Sequence, residues 1–307
     1  MSKPFEKVAL LGLGLIGSSL SHAIRAYGGA KSISGHAKSA ETLKVAAELM
    51  LADTLHADPA EAVKGADLII LCVPVGACGA LAAAISHAVE PGAIITDVGS
   101  VKGAIVRDVG PHVPAHAHFI PGHPIAGTEQ SGPRSGFAEL FQNRWTILTP
   151  VEGTPHAPIT ALEEFWKGFG AKVEIMGVEH HDLVLAMTSH LPHLIAYNSV
   201  ATAADLEEVT QSEVIKFSAG GFRDLTRIAS SDPTMWRDVF LNNKEAVLEM
   251  LGRFTEELAV LQRAIRWGDG ETLFTLFSRA REIRRGIIAA GQDTAAPNFG
   301  RDPARKG

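Results

Sequence analysis

His123 lies in the segment Gly122-His123-Pro124-Ile125-Ala126-Gly127-Thr128-Glu129, fixed by a following proline and flanked by Gly122 and Gly127. An imidazole so placed can approach a small molecule and accept a proton near neutral pH; a hydrogen-bonded loop histidine is the plainer alternative. Two other segments concentrate polar side chains: Asp97-Val98-Gly99-Ser100-Val101-Lys102, and Gly220-Gly221-Phe222-Arg223-Asp224-Leu225-Thr226-Arg227. The first offers a hydroxyl at Ser100. In the second, Arg223 and Asp224 precede Arg227 by four and three residues, close to one helical turn, so they read as an ion pair orienting a site or as an ordinary surface pair. His190 and His193 fall one turn apart with Pro192 between them. No third and fourth ligand stands at zinc spacing, so substrate contact or core packing fits them better than a metal.

A second chemistry-bearing pattern is Gly12-Leu13-Gly14-Leu15-Ile16-Gly17, which follows an apolar run and opens a helix over about residues 15–26. In that context Gly12 permits the tight turn, Gly14 admits a pyrophosphate to the backbone, and Gly17 lets helix and strand pack closely. The pattern therefore predicts a dinucleotide site. The position some twenty residues on, where an acidic side chain would hold the ribose hydroxyls of NAD, reads Gly35-His36-Ala37-Lys38-Ser39. Lys38 and Ser39 could instead meet the 2′-phosphate of NADP, or simply be solvated, and the choice between NAD and NADP stays open. Val73 and Pro74 end a further apolar run and are expected on the cofactor side of the same crevice.

The elements needed to position these residues follow from the hydrophobic pattern. Apolar runs at residues 7–11, 32–34, 68–73, 93–97, 118–121, 145–149 and 172–175 alternate with helix-like segments. That alternation predicts an α/β, Rossmann-like doubly wound parallel sheet over residues 1–177, with the segments at Ser100 and His123 as loops at its carboxyl edge. Strand signals stop near Gly177, and residues 178–292 read as an all-helical second domain. Phe240, Val247, Leu251, Phe254, Leu258, Leu261 and Ile265 are spaced as the seam of one long helix, which wants a partner within the subunit or in a second copy. Residues 293–307 have no periodicity and read as a disordered tail.

The 307 residues are 46% hydrophobic and 20% charged, enough for two packed cores. A net charge of −6 without a basic block argues against nucleic acid or an anionic membrane surface as partner. Only Cys72 and Cys78 are present, and no targeting segment or membrane span is evident, so a reducing, cytoplasmic setting is expected.

Taken together, the glycine pattern, residues 97–102, 122–129 and 222–227, and Ser189-His190-Leu191-Pro192-His193 resemble the prephenate and arogenate dehydrogenase family, over about residues 7–291. The resemblance implies oxidative decarboxylation in tyrosine biosynthesis: a hydride passes to NAD or NADP, NAD being slightly favoured in the family, while a ring carboxylate leaves as carbon dioxide. It implies His123 as catalytic acceptor, Ser100 as a hydroxyl polarising the same bond, and Arg227 gripping a substrate carboxylate. It also implies His193 on the side-chain end, with a lean towards prephenate, while Glu129, His181 and Trp236 line the cleft or its mouth. The absence of a metal is a further implication, while a homodimer through the C-terminal helices is an expectation that rests on the apolar seam from Phe240 to Ile265. With no mutase domain before Lys3 and no regulatory module after Gln292, feedback by tyrosine is expected at the active site itself. A β-hydroxyacid-type dehydrogenase is the rival enzyme, but it would use a lysine in the second domain; a non-catalytic nicotinamide sensor would leave His123, Ser100 and Arg227 unexplained.

Overall fold

A computed structural model describes residues 5–128, 130–210, 216 and 219–289. By compactness the chain separates into a unit ending at Leu248 and another beginning at Glu249. The first unit is built on a six-stranded sheet of order β3-β2-β1-β4-β5-β6, formed by Phe5–Leu11 (β1), Ala30–His36 (β2), Thr54–His56 (β3), Leu68–Leu71 (β4), Ile94–Asp97 (β5) and His118–Phe119 (β6). Every pairing is parallel. The register aligns the carboxyl ends: Leu11 pairs with both His36 and Leu71, and Leu71 pairs with Asp97. The loops that follow these four residues therefore leave the sheet side by side, and the strand order reverses direction between β1 and β4, where ligands of such sheets bind.

The central strands are apolar on both faces because both faces are covered. Val8, Leu10, Leu68 and Ile70 pack with Leu20 and Ile24 of helix α1 (Leu15–Tyr27) and with Phe165, Trp166 and Phe169. Ala9, Leu11, Ile69 and Leu71 pack on the other side with Val75, Cys78, Ala82 and Ile85 of α4 (Val75–Ile85) and with Ile105 of α5 (Lys102–Val109). Between them in the chain come α2 (Ala40–Glu48) and α3 (Pro59–Val63).

The structure corrects the expected single sheet. Trp145–Leu148 (β8) and Lys172–Ile175 (β9) do not extend the parallel sheet; with Gly122–Pro124 (β7) they form a second sheet of order β7-β8-β9, and α6 (His156–Gly168) connects β8 to β9. β7 is antiparallel to β8, with His123 opposite Ile147. Ile120 still donates to the Ile95 carbonyl oxygen of β5, at 3.0 Å, but the next amide in that register, Gly122 N, donates to the Asp97 carboxylate (3.1 Å), so the expected strand at 118–121 ends early and the chain turns to pair with β8. The segment around His123, expected as a loop, is thus a buried strand. β3 escaped the pattern because its three residues are partly exposed and make no apolar run.

Beyond β9 the first unit is helical. α7 (Val178–Leu185) runs through a widened, π-helical turn at Ala186–His190 into α8 (Leu191–Thr210). Pro192, lacking a donor, accounts for the local widening. Then come α9 (Gly220–Thr226) and α10 (Pro233–Asn242). The expected seam from Phe240 to Ile265 is not one helix: the chain breaks at Asn243 (φ −112°, ψ 36°), leaving Phe240 on α10 and the other seam residues on α11 (Lys244–Trp267). The second unit, described by itself, comprises the remainder of α11 and α12 (Gly270–Ala289), with Ile265, Trp267, Phe274 and Phe277 exposed. The expected tail at 293–307 lies outside the described residues. Among the described residues no helix is long and apolar enough to cross a membrane.

The glycine loop yields a paired prediction. A Cβ on Gly17 would come within 2.0 Å of the Gly12 carbonyl oxygen, a backbone atom that cannot yield, whereas one on Gly14 would meet nothing within 4 Å. Gly17→Ala should therefore destabilise the fold by roughly 1–3 kcal/mol in denaturant titration, and Gly14→Ala should change stability by no more than about 0.5 kcal/mol while weakening dinucleotide binding in calorimetry.

Candidate functional site

The dinucleotide fingerprint is formed as a cradle. Gly12 has φ 110°, a conformation that side chains rarely tolerate, and a Cβ there would sit 2.5 Å from the Cys72 carbonyl oxygen at the end of β4. Leu13 is buried, Leu15 and Ile16 are partly buried, and Gly14 caps α1 with extended backbone and no side-chain bond. Gly14 is thus a glycine that the protein's own packing does not require. The open space before it, at the positive end of a thirteen-residue helix, is what a pyrophosphate needs. The residues present fit a dinucleotide. Val73 and Pro74 leave β4 beside this loop, with Pro74 capping α4. Lys38 and Ser39 follow β2; both are exposed, and Ser39 Oγ accepts a long bond (3.4 Å) from Thr42 N as the cap of α2. Residues 35–39, at and beyond the end of β2, include no carboxylate, and His36 is bonded to the His56 carbonyl oxygen at 3.1 Å.

Next along the same edge, Asp97 organises the loop of Ser100 and the strand of His123. Both it and Lys102 are wholly buried and form an ion pair. Asp97 also accepts from Gly99 N (2.8 Å) and Gly122 N (3.1 Å), and Lys102 donates to the Gly122 carbonyl oxygen (2.6 Å). Burial pushes the Asp97 carboxyl up and the Lys102 ammonium down, and their mutual attraction opposes both shifts. Ser100, partly buried, follows Gly99 directly, and His123 follows Gly122, so both residues hang from Asp97.

A chain of polar groups ends at His123. Its Nδ1 lies 2.9 Å from Nε2 of His181, and Nδ1 of His181 lies 2.8 Å from Oδ1 of Asp182. Asp182 also accepts from the first amides of α5, Lys102 N to Oδ1 (2.8 Å) and Gly103 N to Oδ2 (2.7 Å). Burial alone would raise Asp182, but the bonds from His181 and these amides outweigh it and hold the carboxyl below its usual range. Burial lowers His181, against the pull of Asp182, and burial with the nearby charges of His181, Lys102 and His190 holds His123 well below the ordinary histidine value. At neutral pH the arrangement is therefore a carboxylate followed by two neutral imidazoles. Asp182 can only accept, so His181 donates through Nδ1 and accepts at Nε2 from His123; Nε2 of His123 is left with its lone pair.

His190 and His193 are both placed near this chain but differ in surroundings. His190 is buried, its Nδ1 accepts from Asn243 Nδ2 (3.1 Å), its Nε2 has no hydrogen-bond partner, and burial brings its pKa down to about 4. Asn243 also donates to the Asp182 carbonyl oxygen (2.9 Å). His193 stacks on Trp236, ring centroids 3.7 Å apart, with Nδ1 2.8 Å from the Ser189 carbonyl oxygen; burial and the charge of Arg227 lower its pKa. Arg227 is partly buried at the end of α9. The structure does not bring Arg223 and Asp224 into this cluster: they pair with each other at 3.3 Å, both well exposed. Glu129 lies outside the described residues. Sequence reasoning noted His181 only as a cleft position and passed over Asp182 and Asn243, which carry no distinctive spacing. Among the described residues no group of three His, Cys, Asp or Glu side chains could hold a metal ion.

Comparison with known proteins agrees with this geometry. The family model for the prephenate dehydrogenase nucleotide-binding domain matches residues 20–175, and that for the prephenate dehydrogenase dimerization domain matches residues 177–279. A cyclohexadienyl dehydrogenase of Zymomonas mobilis is 42% identical over 283 residues, covering 92% of this chain and 96% of that protein. A prephenate dehydrogenase of Bacillus subtilis is 35% identical over 300 residues, 97% of this chain and 80% of that one. Among solved structures, prephenate dehydrogenase from Aquifex aeolicus in complex with hydroxyphenyl propionate and NAD+ superposes with a TM-score of 0.86 at 32% identity, covering 94% of this chain and 100% of that one. The glycine cradle, the parallel sheet and these matches lead to one assignment: the chain belongs to the prephenate dehydrogenase family of nicotinamide-dependent oxidoreductases.

Proposed function

We propose that the chain converts prephenate to 4-hydroxyphenylpyruvate and carbon dioxide in tyrosine biosynthesis, with Rossmann residues 1–177 holding the cofactor and residues 178–292 shaping the substrate site and a homodimer. The observation that carries the reading is His123: buried, held by burial well below the ordinary histidine pKa, and engaged at Nδ1 by His181, which leaves Nε2 for a ligand. The bound nicotinamide supplies the hydride acceptor. Nε2 of His123 accepts a hydrogen bond from the ring hydroxyl and draws its proton as the carbon beneath gives up hydride. The departing carboxylate leaves its electron pair in the ring, and the proton returns to the oxygen of the new phenol. Ser100 polarises the same hydroxyl, and Arg227 grips a substrate carboxylate, for which a planar guanidinium suits. Burial of the site keeps water from competing for the acceptor.

His193 supports acceptance of arogenate as well, with tyrosine as product. With Nδ1 donating to the Ser189 carbonyl, neutral His193 offers an acceptor at Nε2, which matches the ammonium of arogenate; protonated, it offers a donor, which matches the keto group of prephenate. For the cofactor we assign NAD, supported by the NAD+ in the Aquifex complex, with NADP tolerated because Lys38 faces solvent at the end of β2 and no carboxylate there would repel a 2′-phosphate. The apolar residues exposed on the second unit, in the segment matched by the dimerization domain, support the homodimer.

The deciding assay pairs prephenate and arogenate each with NAD and NADP and follows reduced-cofactor absorbance; silence in all four would end the proposal. His123→Asn should lower kcat by roughly 10²–10⁴-fold with little change in KM. Because the active form is neutral and its pKa is depressed, wild-type kcat/KM should hold below pH 6.5 and fall only as pH drops through that lowered value, a limb absent from the Asn variant. Arg227→Ala should chiefly raise KM for the substrate, by roughly 10–100-fold, the loss of a charge-assisted hydrogen bond.

A further inference from the structure

We propose that His181 and Asp182 are positioning residues that fix the tautomer of His123, so that its acceptor nitrogen faces the substrate side. The inference rests on the reading of His123 as acceptor, and it concerns what arms that acceptor. A neutral imidazole has two tautomers, of which only the one protonated at Nδ1 leaves Nε2 free to accept. Nothing in His123 itself selects between them. The hydrogen bond to His181 does: His181 Nε2 can only accept while His181 Nδ1 is committed to Asp182. Were His181 turned over, or protonated, His123 Nδ1 would have to accept, its proton would move to Nε2, and the acceptor would become a donor.

Asp182 is held for this task from three directions. Its two oxygens receive the first amides of α5, where the helix dipole favours a negative charge, and its backbone carbonyl receives Asn243. A Cβ on Gly103 would stand 2.9 Å from Oδ2, so the residue there must be small for the carboxylate to dock. His181 has no room to turn, being buried between Asp182 and the His123 ring, whose centroid is 5.1 Å from its own in an edge-on arrangement. The acceptor on β7 is thus oriented by a residue of α7 that itself is locked to the start of α5. Without that docking His123 is present but not poised, and loss of the wrong-tautomer barrier is known to be costly in triads of similar logic.

The test uses the full-length protein with histidine nitrogens labelled with ¹⁵N. In the wild type, His123 and His181 should both show a protonated Nδ1 and a bare Nε2; a protonated Nε2 on neutral His123 overturns the proposal without any variant being made. His181→Phe removes the acceptor, and His123 should then populate both tautomers, with kcat falling roughly 10–1,000-fold while KM for the cofactor and the thermal midpoint of the cofactor complex move little. His181→Gln returns an amide oxygen to the place of Nε2 and should restore the Nδ1–H tautomer and most of the lost kcat. Equal loss in Phe and Gln variants with an unchanged His123 spectrum means that His181 is only packing, and overturns the inference. A tautomer shift in His181→Phe with kcat unchanged means instead that the orientation is real and that His123 is not the acceptor, which separates the failure of the earlier reading from this one.

Discussion

Asp97 and Lys102 face each other where water reaches neither, and the first unit is arranged around that pair. Burying two charges costs on the order of several kcal/mol for each ion, and breaking the pair by removing one partner would leave the other uncompensated. The cost is offset because each group has further bonds: Asp97 takes two backbone amides, and Lys102 gives to a backbone carbonyl. Those bonds are also what define the site. Gly99 brings the Ser100 loop to the carboxylate from one side and Gly122 brings β7 from the other, while Lys102 starts α5 between them. The Ser100 hydroxyl and the His123 imidazole, on separate elements, acquire a common origin at a single side chain.

A second carboxylate continues the same logic across the first unit. Asp182 is an N-terminal cap for α5, supplied by a helix eighty residues away in sequence rather than by the residue before it; Val101, the local cap, provides no side-chain bond. α5 therefore has the Asp97 pair within its first turn and Asp182 on its first amides. The sheet edge and the helical segment are joined there, and the proton order along Asp182, His181 and His123 follows from the fact that an ionised carboxylate cannot donate. Burial does the rest. It keeps both imidazoles neutral at the pH where an acceptor is wanted, which an exposed histidine near its ordinary pKa would only half achieve.

The cofactor loop obeys a different constraint. Gly12 and Gly17 are glycines because the chain meets itself there, one against the carbonyl of Cys72 and the other against the carbonyl of Gly12. Gly14 is a glycine although the chain does not meet itself there. The three positions look alike in a sequence motif, yet two are requirements of folding and the third is not.

That distinction marks how far the sequence reaches. Local rules wrote the sheet: continuous apolar runs in β1, β4 and β5, a glycine turn into α1, and helical spacing beyond Gly177 were all legible, because parallel strands covered on both faces and helices with one apolar face leave periodic traces. His123, Ser100, His193 and Arg227, on which the proposed site rests, stand out in the sequence by their motif company. The sequence could not tell that the strand at 118–121 would end early and give Gly122 to the Asp97 carboxylate, that β8 and β9 would leave the main sheet, or that the long seam would break at Asn243, since each depends on which strand or side chain is available in space. Nor could it find Asp182, an ordinary acid on a helix until α5 is brought against it. Sequence alone determined the elements and the kinds of chemistry they carry; tertiary structure decided which nitrogen of His123 bears the proton, because that is set by hydrogen bonds between residues 58 positions apart, and no local pattern encodes such a meeting.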